Sequence, residues 1–181
     1  MTTPQPTGRP NARLRQSVTD MVWSMGLVLA VIAAILLVTL RPQPDAVKVV
    51  DPTQVLIAAR ALAPFPVLVP KGLSGYQVTS ARWQETSKSG GALVLHLGYV
   101  TPENQYVQLS QSIADSGGFI AEQTAAGVAA EQVRIDAADW QIYEAADRIS
   151  LVLLGVEATT VLSGTVTQKE LERVARSLTA N

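Results

Sequence analysis

Apolar and polar positions divide the chain into a membrane-like stretch and a folded domain. Met21 to Leu40, MVWSMGLVLAVIAAILLVTL, is twenty residues without a charge or a polar face. A helix of that length, at about 1.5 Å per residue, covers the roughly 30 Å hydrocarbon core of a bilayer. One transmembrane helix is therefore predicted over 21–40. A cleaved signal peptide would need an apolar region of about 7 to 15 residues followed by small residues at a cleavage site. Arg41-Pro42-Gln43-Pro44 follows instead, so the expectation is an uncleaved anchor.

Beyond it the pattern changes repeatedly. Asp51-Pro52-Thr53-Gln54 has the chemistry of a helix start, with Asp51 to accept orphan N–H groups and Gln54 to complete a capping box. Val55, Leu56, Ala59 and Leu62 then recur at helical spacing, and Pro64 and Pro66 end the helix. The apolar, proline-rich run from Phe65 to Pro70 reads as a lid over the core, with an exposed docking segment as the alternative. Strands are predicted over Tyr76–Trp83, Ala92–Val100 and Tyr106–Ser112. In the second, Leu93, Leu95, Leu97 and Tyr99 alternate with Val94, His96 and Gly98, which predicts one well-buried face. Thr101-Pro102-Glu103-Asn104 is turn chemistry and predicts an antiparallel hairpin.

Alanine-rich Phe119 to about Ala130 is predicted helical. Strands follow over Gln132–Ile135, Asp139–Ala145, Ile149–Gly155 and Ala158–Ser163, as an antiparallel meander. Thr167-Gln168-Lys169-Glu170 is a capping box that opens a last helix with Leu171, Val174, Ala175 and Leu178 on its buried stripe. The class is α+β: an N-terminal transmembrane helix, then an antiparallel β-sheet packed with helices.

Charge sets the orientation. Arg9, Arg13 and Arg15 precede the apolar run, and positive charge is retained on the cytoplasmic side. The domains expected are a disordered basic cytoplasmic tail (1–20), the transmembrane helix (21–40), a linker (41–50) and an extracytoplasmic α+β domain (51–181). The linker spans about 30 Å at full extension, which keeps the domain close to the membrane. Trp23 suits an interfacial anchor. Gly26, Ala30 and Ala34 place small residues on one helix face, where a partner helix can approach closely; such stripes also arise in membrane helices without a partner.

Residues 41 to 181 carry eleven Lys/Arg against fourteen Asp/Glu, so no basic stripe favours nucleic acid. The chain has no cysteine, which excludes disulfides, thiolate metal sites and a cysteine nucleophile. His96 is the one histidine. A Ser-His-Asp set can be written from His96, Ser110 or Ser112, and Asp115, but no GxSxG turn presents a serine. His96 is expected to be structural, solvated or hydrogen-bonded on the face opposite Leu95 and Leu97. Glu131, Asp136 and Asp139 offer oxygens to calcium, although a solvated turn is the simpler reading. Trp83, Trp140, Tyr76, Tyr99 and Tyr143 either line a pocket or fill the core. No catalytic, cofactor or metal residue is assigned, and no cofactor is expected.

Phe65-Pro66-Val67-Leu68-Val69-Pro70-Lys71-Gly72-Leu73, Gly98-Tyr99-Val100-Thr101-Pro102, Trp140 with Tyr143, and Ser163-Gly164-Thr165 leading to Glu170-Leu171 and Ser177-Leu178 resemble an actinobacterial family of membrane-anchored proteins, domain of unknown function 4245. The resemblance implies an envelope location and no catalytic residue. Its order of elements is similar to small α/β/α sandwiches of the Mog1/PsbP type, an analogy of fold alone. The leading expectation is a non-enzymatic envelope binding or assembly module. The alternative is a lipid or glycan carrier with a pocket between sheet and helix, and a hydrolase comes third.

Overall fold

A computed structural model describes residues 12–39, 48–86, 91–113 and 116–180. The chain divides into two compact units, Met1–Ala46 and Val47–Asn181. In the first, helix α1 runs from Ala12 to Thr39. It begins upstream of the apolar run, inside the segment expected to be disordered, because Ala12, Arg13, Leu14, Arg15 and Gln16 are good helix formers that let a helix propagate backwards. Residues 1–11 of the tail and 40–47 of the linker lie outside the described residues.

The second unit contains α2 (Thr53–Leu62), β1 (Leu68–Pro70), β2 (Gln77–Thr86), β3 (Ala92–Val100), β4 (Tyr106–Ser112), α3 (Ser116–Gln123), β5 (Val128–Ile135), β6 (Ala138–Glu144), β7 (Ile149–Leu154), β8 (Thr159–Gly164), α4 (Gln168–Ser177) and β9 (Leu178–Ala180). Seven strands form one antiparallel sheet in the order β2-β3-β4-β8-β7-β6-β5, and β1 pairs with β9 in a separate two-stranded ribbon. Two meanders, β2-β3-β4 and β5-β6-β7-β8, are thus joined through β4 and β8.

Register places Leu97, Leu109, Leu162, Leu151 and Ile142 side by side across five strands. This row is the floor of the main core, where Leu56 and Ala59 of α2 and Leu171, Val174 and Ala175 of α4 pack on it. On the opposite face Val94, Val161 and Val152 pack against Phe119 and Ile120 of α3. The class is α+β, with helices on both faces of the sheet.

That second layer corrects the expectation of one buried face for β3. Val94, His96 and Gly98 are buried along with Leu95 and Leu97, because α3 covers the back of the sheet. The alanine-rich segment also ends its helix earlier than expected. Ala125 and Ala126 both take φ 54°, and the Ala126 N–H reaches back to the Ala121 carbonyl at 2.7 Å, closing the helix with a left-handed cap. Gly127 follows in tight packing, since a Cβ would lie 3.0 Å from the Glu144 carbonyl oxygen and 3.1 Å from that of Thr124. Residues 128–130 therefore enter β5, where a register shift between Ala129 and Gln132 marks a bulge.

The helix starts follow the sequence in part. Asp51 accepts from the Thr53 N–H at 3.0 Å, but Pro52 is the N-cap and has no side-chain cap. Leu62, expected on the buried stripe of α2, is exposed, because the helix runs off the core before Pro64. Thr167 does cap α4 through the Glu170 N–H. Glu170 does not return the bond; its carboxylate accepts from the Tyr76 hydroxyl and from Arg173.

Candidate functional site

The site is built around a polar side chain in the apolar core. Gln111 stands opposite Leu95 and Thr160 in the sheet and is almost wholly buried. Its carbonyl oxygen accepts the Leu68 backbone N–H at 2.8 Å, and its amide nitrogen donates to Thr160 Oγ1 at 3.2 Å. A buried amide satisfied in this way fixes geometry, because leaving either group unpaired is costly. The segment from Phe65 to Pro70 is therefore a strap laid across the sheet. Phe65 and Val67 point into the core, whereas Pro66 is exposed.

Between this strap and the ends of β6, β7 and β8 lie two depressions. One, of about 290 Å³, is lined by residues including Pro66, Leu68, Leu153, Val156 and Glu157. The other, of about 270 Å³, is lined by residues including Asp136, Ala138, Trp140, Leu153 and Leu178. Leu68 and Leu153 line both, so the two form one interrupted groove. Val156 at the β7–β8 turn is wholly exposed, and Leu154 beside it is 63% exposed. Glu157 and Asp136 are the charged members of the two linings, which contain no lysine or arginine.

His96 lies on the other face, buried beneath α3. Its Nδ1 is 2.9 Å from Ser110 Oγ. Ser110 donates to Gln123 Oε1 at 2.9 Å, while the Gln108 amide nitrogen donates both to Ser110 Oγ and to Gln123 Oε1 at 3.0 Å. The Gln108 amide nitrogen also lies 3.4 Å from Nδ1, so the ring is one member of a buried network with Ser110, Gln108 and Gln123, an arrangement that satisfies polar groups beneath α3. Burial, with the charge of Arg82 adding to it, pulls the His96 pKa down to about 4, so the ring is neutral at physiological pH. Ser112 donates instead to the Leu93 carbonyl at 2.9 Å, and Asp115 lies outside the described residues.

The remaining candidates do not converge. Asp139 pairs with Arg134 at 3.2 Å, Asp136 lines the groove, and Glu131 sits in the β5 bulge. Among the described residues no group of three potential metal ligands forms. Of the aromatics, Trp140 lines the groove. Trp83 meets Phe65 edge-on at 6.3 Å, Tyr99 is buried in the main core, Tyr76 bonds Glu170, and Tyr143 packs toward α3 in the back layer. On α1, Gly26 and Ala30 help line a depression of about 330 Å³ with Val22, Trp23 and Leu27; Ala34 is outside that lining. Among the described residues no helix is long and apolar enough to cross a membrane, the described side chains of α1 being those of Met21 to Leu36.

An antiparallel sheet layered between helices, with an open groove under a strap, defines an α+β domain. The chain belongs to the family described as Protein of unknown function (DUF4245), whose profile matches residues 13–178. The match takes in α1 and the folded unit together. No match is found among curated proteins.

Proposed function

We propose that this chain is a membrane-anchored, non-enzymatic binding module, with α1 crossing the cytoplasmic membrane, its N-terminus inside, and the domain from residue 51 engaging a partner near the outer face. The observation that carries the binding reading is the groove beneath the strap. It is open and mainly apolar, the hydroxyl in its lining, Thr160, is taken up by the Gln111 amide, and among the described residues no metal cluster lies in it. Support for the anchor comes from the twenty uncharged residues from Met21 to Leu40 and from α1 itself. Its side chains from Met21 to Leu36 are all exposed, and an apolar helix surface needs lipid or protein to cover it. The three preceding arginines favour an inside amino terminus.

A lipid or glycan carrier is the second reading, and the open groove is what favours it. Its depressions are about 290 and 270 Å³, at the lower end of the roughly 300–1,000 Å³ of small-ligand pockets; the carboxylates in both linings, rather than the volume, favour a protein partner. The sheet between helices is similar in layering to small α/β/α domains of the Mog1/PsbP type, an analogy that carries no activity.

The test is affinity capture from native membranes with the full chain, a chain with an unrelated anchor, and Val156→Asp. A partner that survives the anchor swap and is lost with Val156→Asp supports a binding module acting through the groove. A partner that follows the anchor alone, or a lipid retained without any protein, contradicts it.

A further inference from the structure

We infer that the groove accepts an extended, cationic segment of a partner protein, two apolar side chains entering its depressions and a lysine or arginine meeting Glu157 at one end and Asp136 at the other. This rests on the binding-module reading and adds the chemistry of the partner.

Three observations carry it. First, Leu68 and Leu153 are common to both linings, so the two depressions adjoin, and each is mainly apolar. An extended chain suits such a pair, since side chains at i and i+2 point the same way about 6.6–6.8 Å apart. Second, the charged residues in both linings are carboxylates, Glu157 in one and Asp136 in the other, with no cation between them. That field attracts basic side chains and repels a phosphate-bearing lipid headgroup. A second copy of this chain complements it poorly, since residues 41 to 181 carry more acids than bases. Third, the strap is pinned by Gln111 through the Leu68 N–H. The groove is thus held open before any partner arrives, which lowers the ordering cost of binding.

The experiment selects phage-displayed random heptapeptides on the full chain in nanodiscs, counter-selecting on empty nanodiscs. Selected peptides are then measured on Asp136→Asn/Glu157→Gln. Asp136 takes φ 52°, which asparagine tolerates, so this variant keeps the fold. The expected result is enrichment of apolar residues at alternate positions flanked by lysine or arginine. Affinity should fall by roughly two- to thirtyfold on the double variant, as two exposed charge pairs predict, and weaken with salt. Peptides without a basic excess, affinity unchanged by the double substitution, or no enrichment would overturn the inference. Capture from native membranes separates the two levels of the account. A partner lost with Val156→Asp but kept by Asp136→Asn/Glu157→Gln leaves the binding module standing and removes its cationic partner. A partner indifferent to both variants removes the module itself.

Discussion

Gln111 accepts the Leu68 backbone N–H at 2.8 Å across 43 residues of chain. The strap that walls the candidate groove is therefore positioned by one buried side chain in the middle of the sheet. Gln111→Leu keeps the size and removes both hydrogen-bonding groups, leaving the Leu68 N–H without its acceptor. The expected cost is about 1–3 kcal/mol, read by urea unfolding of the full chain in detergent, together with weaker capture of the partner. An unchanged midpoint and unchanged capture would show that the strap holds without this bond.

A second long-range tie joins the connection between β1 and β2 to α4. Tyr76 donates its hydroxyl to Glu170, and Arg173 approaches the same carboxylate at 3.2 Å. Burial and the Glu170 carboxylate push the Tyr76 pKa well up. Tyr76→Phe should cost about 0.5–1.5 kcal/mol. Thr167→Ala, which removes the α4 cap, should cost about 1 kcal/mol. Additive losses in the double variant would show that cap and tie act separately; a smaller combined loss would show coupling.

His96 gives the domain a pH dependence of defined sign. Its pKa is pulled down to about 4 in the fold, below the ordinary value of about 6.5 in the unfolded chain, so the unfolded state binds the proton more readily. Stability from the neutral ring is complete above about pH 6.5, declines as pH falls, and is lost once pH passes the folded value near 4. The loss is on the order of 1–3 kcal/mol. In His96→Gln the decline between pH 6.5 and 4 should flatten. A decline of equal size in the variant would assign it to carboxylates.

Among the described glycines, Gly164 faces a tighter constraint than those in turns. A Cβ there would lie 2.3 Å from the Tyr106 carbonyl oxygen, a backbone atom fixed by the β4–β8 pairing. Gly164→Ala must push the two strands apart at the junction of the meanders. The cost should exceed about 2 kcal/mol, measured as a lowered thermal midpoint. A loss below 1 kcal/mol, within the range of ordinary surface changes, would show that the junction yields.

Much of this arrangement is written locally in the chain. The alternation in Ala92–Val100, the Thr101–Asn104 turn and the Thr167 cap predict β3, its hairpin and α4, since each depends on neighbours a few residues away. The ribbon of β1 with β9 is not legible, because three residues near 69 pair with three near 179 and neither triplet carries a strand pattern. The end of α3 was obscured for a related reason: alanine favours helix, and the packing of Gly127 against Glu144 overrides it. The groove draws on five separated parts of the chain, around residues 66–68, Gln111, and residues 135–140, 153–160 and 175–178. Of the residues singled out by type, it gathers Asp136, Trp140 and the strap. Glu157 and Val156 gave no signal, being an acid and an apolar residue in an ordinary turn.

The central claim, a domain held outside the membrane by α1, has a direct test because the chain lacks cysteine. Single cysteines at Thr7, in the tail, and at exposed Ala146, in the domain, are labelled in intact cells with a membrane-impermeant maleimide. The account predicts that Ala146→Cys labels in intact cells and that Thr7→Cys labels after permeabilisation alone, with the protein retained in carbonate-washed membranes. Labelling of Thr7→Cys but not Ala146→Cys in intact cells, or release of the chain by carbonate, would contradict it.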